Sequence, residues 1–216
     1  MMIKENKRIL MITSLIILLP VLVGLLLWHQ LPEQIPVHFN SEGVADSYQS
    51  KLWGVTFIYL VIFACHWFAA IITSVDPRRR NISSKIYRLV LWICPVISVF
   101  VGVTIYGTAL NWPWVNINFM ANLLLGVIFI VIGNYLPKCR QNYTIGIKLP
   151  WTLSDEENWD KTHRFAGKIW MLCGVLEIIV GFLPIAQFEI VTIALILLAT
   201  IPVAVYSYLL YRKKMG

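Results

Sequence analysis

Two ionisable side chains, His66 and Glu177, lie inside long apolar stretches of the sequence. A charged group in the middle of a membrane is costly unless it is paired or hydrated, so each is a candidate functional residue. For Glu177 two interpretations stay open: a hydrogen-bonded structural carboxyl, or a carboxylate that binds a proton or a ligand. For His66, a core histidine with satisfied hydrogen bonds is the simpler interpretation.

The residue patterns that usually indicate an enzyme are missing from the sequence. No H-E-x-x-H, G-x-S-x-G or P-loop spacing occurs, and the consecutive acids 155–157 would point to different sides of a helix. The cysteines form no C-x-x-C pair and have no histidine at ligand spacing, which favours small core residues over a disulfide or zinc site; they are Cys65, Cys94, Cys139 and Cys173. We therefore expect no catalysis, no cofactor and no metal.

The composition predicts a membrane protein. The chain of 216 residues is 58% hydrophobic and 13% charged, with a mean hydropathy of +0.72, whereas soluble domains carry about 25% charged residues. Its net charge of +7 is spread over short basic clusters between apolar runs. Such clusters set the orientation of a chain in the bilayer, so we expect no direct binding of nucleic acid.

Six apolar runs approach the roughly 20 residues that a helix needs to cross a bilayer. Continuous runs favour helices over a barrel, which would show alternation, and the first run is too long for a signal peptide and lacks its cleavage site. The sequence thus predicts an all-α integral membrane protein, a bundle of six transmembrane helices near 9–28, 53–75, 89–110, 117–137, 169–187 and 190–211.

The distribution of Lys and Arg predicts the orientation of these spans. Of 18 basic residues, 17 fall at the two termini and in the segments 76–88 and 138–168, whereas the opposite side carries only Lys51. Positive residues stay in the cytoplasm, so both termini are expected on the cytoplasmic side of the plasma membrane. The chain then divides into 1–75, with an external loop at 29–52, and 76–216, with a cytoplasmic motif at 138–168.

The cytoplasmic segment 138–168 carries the signals of an amphipathic helix. Ser154 precedes Glu157 by three residues, a capping-box spacing that would start the helix. A semi-apolar stripe then follows at helical spacing, formed by Trp159, His163, Ala166 and Trp170. We expect this helix to lead into the fifth span without a break, and an anchor at the membrane interface is an alternative interpretation of it.

Glycines in the fifth span predict a close helix contact. Gly167, Gly174 and Gly181 are spaced seven residues apart, and small residues on one face let another helix approach closely. Glu177 follows Gly174 by three residues and shares this face. Its side chain is therefore expected to point into the bundle.

Two segments resemble a known family. The sequence NYTIGIKLPWTLSDEENWDKTHRFAGKIW (142–170) resembles the signature of the SdpI family of bacterial immunity proteins, and LPEQIPVHFNSEGVADSYQSKLWG (31–54) resembles the module DUF1648 that precedes it in that family. With the six spans, the resemblance covers essentially the whole chain. Lys148 stands where Arg is expected, which keeps the charge but loses the bidentate fork.

The resemblance implies a membrane protein that protects its cell from a secreted, membrane-active peptide toxin. It also implies a receptor role, in which the protein holds a transcriptional repressor at the membrane. The expected partners are thus the toxin, a cytoplasmic repressor and the lipid bilayer. We assign toxin sensing to Pro36, His38, Phe39, Asn40, Gly43 and Asp46, and signalling to the motif residues Asn142, Thr144, Gly146, Pro150, Trp151, Thr152, Asp155, Glu156, Trp159, His163, Arg164 and Gly167.

Two other functions remain open at this stage. A small secondary transporter or exporter of peptide or ion could use Glu177, although the two halves of the chain show no convincing repeat. A membrane enzyme acting on lipid or peptide would need a nucleophile or a metal, and its best external candidates, His29 and His38, have no obvious partners.

Overall fold

A computed structural model describes residues 2–40, 42–183 and 188–215. Six helices in these ranges are long and apolar enough to cross a membrane, which confirms the predicted all-α membrane bundle. The elements in chain order are α1 (Met2–Glu5), α2 (Lys7–Leu26), β1 (Gln34–Phe39), β2 (Ala45–Ser50), α3 (Lys51–Ser74), α4 (Ser84–Ala109), α5 (Ile117–Tyr135), α6 (Pro150–Ser154), α7 (Glu156–Phe182) and α8 (Phe188–Met215). The six long helices are α2, α3, α4, α5, α7 and α8.

The chain forms two compact units. The first comprises Met1–Ile71 and Arg88–Leu124, and the second comprises Ile72–Tyr87 and Leu125–Gly216. Each unit therefore combines segments that are distant in sequence, and each has its own buried core.

The segment between α2 and α3 folds into an antiparallel hairpin that was not expected from the sequence. β1 and β2 pair Gln34 with Ser50 and Pro36 with Tyr48, with an irregular register after Pro36. The Asn40 Oδ1 atom closes the turn by accepting hydrogen bonds from two backbone amides over 2.9–3.0 Å. Gly43 has a φ of +75°, a left-handed conformation that favours glycine.

The hairpin is attached firmly to the first unit. Ile35 in β1 is fully buried in a cluster that includes Val55 and Tyr59 of α3. A Cβ atom on Gly54 would lie 2.6 Å from the Ile35 Cβ atom, so strand and helix touch at this point. Because β2 leads directly into α3, the hairpin has little freedom to move away from the helices.

In the second unit, α5 and α7 touch through their backbones, as the glycine spacing predicts. A Cβ atom on Gly174 would lie 2.6 Å from the Gly126 carbonyl oxygen, and one on Gly167 would lie 2.7 Å from the Gly133 carbonyl oxygen. Side chains at these positions would push the helices apart, because the atoms they meet belong to backbone. The fifth span is therefore fixed in its rotation about its own axis.

The structure corrects the start and the end of the fifth span. The predicted capping box at Ser154 and Glu157 is wrong: Ser154 ends α6, and Asp155 caps α7 by accepting a hydrogen bond from the Glu157 amide over 3.1 Å. From Glu156, α7 runs without interruption to Phe182, as expected for a helix that leads into the span. It ends five residues before the predicted position 187, and positions 184–187 lie outside the described residues.

Candidate functional site

The motif at 138–168 folds onto itself through buried polar side chains. Asn142 is 2% exposed, and its Oδ1 atom accepts hydrogen bonds from the backbone amides of Thr144 and Ile145 over 2.9 and 2.7 Å. Its Nδ2 atom donates to the carbonyl oxygens of Arg140 and Ile145. One asparagine thus satisfies four backbone groups that have no regular secondary structure to pair them.

Thr152 and Gln141 hold the short helix α6 in place. The Thr152 hydroxyl accepts from the Leu149 amide over 2.9 Å and donates to the Ile147 carbonyl oxygen over 2.8 Å. The Gln141 amide group donates to the carbonyl oxygens of Thr152 and Leu153 over 2.7 and 3.0 Å. Gln141 is absent from the motif residues selected by sequence, yet it caps carbonyls at the end of α6 that would otherwise be unpaired.

Trp159 and His163 form the centre of the motif. Their rings stack with centroids 4.0 Å apart, and the indole Nε1 of Trp159 donates to the Cys139 carbonyl oxygen over 2.7 Å. The His163 Nε2 atom accepts from the Ile147 amide over 2.9 Å, and Nδ1 donates to the Trp159 carbonyl oxygen over 2.7 Å. Since one ring nitrogen must accept while the other donates, His163 is neutral here, and both nitrogens are used in folding the motif.

Gly146 lets the chain pass close to these rings. It has a φ of +120°, and a Cβ atom there would lie 2.5 Å from the His163 Nε2 atom and 2.9 Å from the Trp159 ring. A side chain would displace His163 from the Ile147 amide. Glycine is therefore required by the backbone conformation as well as by the lack of space.

Asp76, directly after α3, is a further residue of this site. It is 2% exposed, and its carboxylate accepts hydrogen bonds from the Tyr143 amide over 2.9 Å, from the Thr144 hydroxyl and from the Arg78 amide over 2.6 Å. The Arg78 guanidinium donates to the Gln141 side chain and lies 4.9 Å from the Tyr143 ring centroid. The segment after α3 thus holds residues 141–144, at the start of the motif, in place through these contacts, which together we call the clamp.

Asp76 could not be selected from the sequence, because Tyr143 and Thr144, its partners in the motif, are more than 60 residues away. The available signal was an acidic residue two positions before the basic run 78–80, near a helix end. An acidic residue in a segment that is otherwise rich in positive charge is more indicative of a specific hydrogen-bond or ion-pair partner than of a general role at the surface.

We expect Asp76→Ala to destabilise the motif more than Asp76→Asn. Alanine leaves the Tyr143 and Arg78 amides, whose bonds to Asp76 are partly buried, without an acceptor, at about 1–3 kcal/mol for each group that stays unpaired. Asparagine keeps one acceptor oxygen and should cost less. The check is the thermal unfolding midpoint of the purified protein in detergent, with Glu156→Ala, an exposed acid, as the control. Equal midpoints for Asp76→Ala and the control would contradict the clamp.

The end of α8 packs against the start of α7. Trp151 donates from Nε1 to the Ser207 hydroxyl over 2.8 Å, and Asn158 donates from Nδ2 to the Ser207 carbonyl oxygen over 2.9 Å. Lys214 donates to Asp155 over 3.0 Å, and this hydrogen bond is the main cause that lowers the pKa of the Asp155 carboxyl. The cap of α7 therefore stays ionised, which suits the positive end of the helix dipole.

The structure separates the twelve motif residues by exposure. Asn142, Thr152, Trp159, His163 and Gly167 are buried; Thr144, Gly146, Trp151 and Asp155 are half-buried; Pro150, Glu156 and Arg164 are exposed. The buried and half-buried residues build the motif, so a partner would meet the exposed ones. Lys148, at the position where Arg was expected, is also exposed and donates to the Thr144 carbonyl oxygen over 3.0 Å, a contact that needs no bidentate fork.

The six residues selected on the hairpin also divide into two groups. Pro36 is buried and Phe39 half-buried, while Asn40 and Gly43 shape the turn. His38 and Asp46 are exposed, and their Nδ1 and Oδ1 atoms lie 2.6 Å apart across the two strands. These two side chains, 70% and 44% exposed, and the exposed Asn40 at the turn are the members of the set that a partner can reach.

Lys51, the lysine that stood apart in the sequence, is held at the base of the hairpin. It is 7% exposed, and its ammonium group lies 2.8 Å from the Glu33 carboxylate and 3.2 Å from the Trp28 carbonyl oxygen. The ion pair neutralises the charge of Lys51. As a single basic residue, Lys51 is far outnumbered by the 17 basic residues assigned to the other side.

The two intramembrane candidates are each bound by a threonine. His66 is 1% exposed, and its Nε2 atom lies 3.1 Å from the Thr13 hydroxyl, which itself donates to the Ile9 carbonyl oxygen. Since that hydroxyl proton is used within α2, the Thr13 oxygen accepts from the His66 Nε2 atom. The Nδ1 atom is buried without a hydrogen-bond partner among the described residues, so the structure differs here from the core histidine with satisfied hydrogen bonds that the sequence favours. Glu177 accepts from the Thr192 hydroxyl over 3.1 Å.

Comparisons with known proteins match two parts of the chain. Residues 138–207 match the model of the SdpI/YfhL protein family, and residues 15–63 match a domain of unknown function, DUF1648. Immunity protein SdpI of Bacillus subtilis (strain 168) is 27% identical over 210 residues, which cover 95% of this chain and 97% of that protein. No solved structure matches the chain.

Proposed function

Because the chain belongs to the SdpI family of multi-pass membrane proteins, we propose that it is an immunity protein that protects its own bacterium from a secreted, membrane-active peptide toxin. The relative named an immunity protein aligns over nearly its whole length. Both matched segments, the hairpin with its flanking helices and the motif with α8, are therefore present in one chain.

The anchored hairpin is the observation that carries the toxin-sensing part of this proposal. A hairpin on its own is only marginally stable in water, but here Ile35 and Lys51 attach it to the helices while the His38–Asp46 pair stays exposed. An interaction surface that is held rigid loses little entropy when a partner binds. The paired imidazole and carboxylate present a polar, acidic patch suited to a cationic segment of a peptide.

The orientation in which both termini are cytoplasmic belongs to the same proposal. It is supported by the 17 basic residues on one side against the single Lys51 on the other. In this orientation the hairpin faces the outside, where a secreted toxin arrives, and the motif faces the cytoplasm.

We further propose that a cytoplasmic transcriptional repressor docks on the exposed side of the motif. Glu156 and Arg164 lie exposed on α7, two turns apart, whereas the buried motif residues are engaged in folding. Arg164→Glu is expected to release the repressor from the membrane fraction into the soluble fraction of lysed cells, with toxin tolerance retained. A repressor distribution unchanged by this charge reversal would argue against docking at this surface.

The direct test of immunity is toxin tolerance in cells that depend on this protein. The double variant His38→Ala, Asp46→Ala is expected to lower the tolerated toxin concentration by about tenfold or more, equivalent to roughly 1.4 kcal/mol of binding free energy. Gln49→Ala, an exposed substitution on β2, is the matched control and should leave tolerance unchanged. Full tolerance in the double variant at equal protein level would refute toxin sensing by this pair, and equal toxin sensitivity with and without the wild-type protein would refute immunity.

A further inference from the structure

The carboxyl group of Glu177 is enclosed inside the second unit, on a helix long enough to span a membrane. None of its surface is exposed. Thr192 on α8 donates to the Oε2 atom over 3.1 Å, whereas the Oε1 atom has no hydrogen-bond partner among the described residues. The immunity function proposed above gives this group no role.

The surroundings of Glu177 are apolar. Cys173 and Val180, about one turn away on either side, belong to a buried cluster with Phe129 of α5 and Leu195 of α8. Across the described residues, the ion pairs found do not include Glu177. An ionised carboxylate here would therefore lack a counter-charge, a costly state for a group removed from water.

Few titratable groups can influence Glu177. On its own helix the neighbour is Cys173, and on α8 the nearest acid in sequence is Glu189, three residues before Thr192. From position 117 to 134, α5 carries no ionisable residue. The contact between Gly126 and Gly174 fixes the rotation of α7, so the carboxyl cannot turn towards lipid or solvent without separating the two helices.

We propose that Glu177 is a proton-binding site, in which Oε1 carries the proton and Oε2 accepts the hydrogen bond from Thr192. Adding a proton removes the charge and needs no further partner of opposite sign. The Phe182 end of α7 is five residues away, about 8 Å along the helix. The Glu156 end is about four times farther.

Labelling with dicyclohexylcarbodiimide, an apolar reagent that reacts with protonated carboxyl groups, tests this site on the purified full-length protein. The acid proton moves to a carbodiimide nitrogen, the carboxyl oxygen adds to the central carbon, and rearrangement leaves a stable N-acylurea with no group released. Peptide mapping by mass spectrometry should find the adduct on Glu177 at neutral pH. Glu157, exposed and paired with Lys161 over 2.7 Å, is the internal control and should remain unlabelled.

Infrared spectroscopy provides a second measurement. The wild-type protein should show a protonated-carboxyl band that Glu177→Gln removes. The variant Thr192→Val tests the hydrogen bond to Oε2. This bond stabilises the carboxylate, so without it the carboxyl should stay protonated, and labelled, up to a higher pH. If Glu177→Gln does not fold, the labelling of the wild-type protein still decides the question. An unlabelled Glu177 at neutral pH in folded protein, or a carboxylate band assigned to it, would overturn the proposal. Neither readout involves a toxin, so failure here and failure of the immunity function are distinguishable.

Discussion

Gly174→Leu is expected to prevent the second unit from assembling. A Cβ atom at this position would lie 2.6 Å from the Gly126 carbonyl oxygen and 2.9 Å from the Ile130 amide nitrogen. These atoms belong to backbone, so α5 and α7 would have to separate along their length. A cost above about 4 kcal/mol follows, at the upper end of single-substitution effects. The measurement is the yield of monodisperse protein on size-exclusion chromatography in detergent.

Val175→Leu is the matched control for this substitution. Val175 is the next residue on α7 and is 47% exposed, so its side chain faces away from α5 and can grow without a clash. We expect a wild-type yield and a wild-type unfolding midpoint for this variant. If Gly174→Leu behaved in the same way, the backbone contact between α5 and α7 would not exist in the protein.

Trp159→Ala is expected to have the second largest effect, by opening the centre of the motif. The indole is fully buried, stacks on His163 and donates to the Cys139 carbonyl oxygen. Removing a buried tryptophan side chain costs about 3–5 kcal/mol, and it leaves the Cys139 carbonyl oxygen without this donor. The measurement is the thermal unfolding midpoint, together with the rate of proteolysis within 138–168.

Two further variants separate the contributions of Trp159. Trp159→Phe keeps an aromatic ring beside His163 but loses the indole donor, so a smaller cost of about 1 kcal/mol is expected for the lost hydrogen bond. Trp114→Ala removes a tryptophan that is 61% exposed and should leave the midpoint nearly unchanged. A Trp159→Ala protein as stable as Trp114→Ala would show that the motif does not depend on this ring.

The long apolar helices could be predicted from the sequence because their signal is local. Each of the six runs exceeds the length of an ordinary buried helix, and the glycine spacing of seven identified the face of α7 that touches α5. The boundaries were harder to predict. Asp155 and Ser154 are both good caps, and the choice between them depends on α6, whose end is fixed by Gln141 from outside the helix.

The hairpin was not predicted because its sequence gives conflicting signals. Ile35, Val37 and Phe39 alternate with polar or small residues as in a strand, but Pro36 lies among them, and proline argues against a central strand. A two-stranded sheet has only edges, so Pro36 can be accommodated next to the irregular register. The burial of Ile35 against α3 then supplies the stability that the strand sequence alone does not.

The partners of the motif residues could not be predicted, because they depend on contacts between distant segments. The stripe from Trp159 to His163 correctly indicated a helix face, yet the pattern did not show that this face is covered by residues 139–149. Asp76 is the clearest case, since its role exists only when the segment after α3 meets Tyr143 and Thr144. Such a role leaves almost no trace in local sequence.

Residue accessibility from the two sides of the membrane is the measurement that tests most directly whether the hairpin faces outward and the motif inward. Asp46→Cys and Glu156→Cys, both at exposed positions, are introduced separately, and intact cells are treated with a membrane-impermeant maleimide before and after permeabilisation. We expect Asp46→Cys to react in intact cells and Glu156→Cys to react only after permeabilisation. Reaction of both cysteines in intact cells, or of neither, would place hairpin and motif on the same side and contradict the proposed route from toxin to repressor.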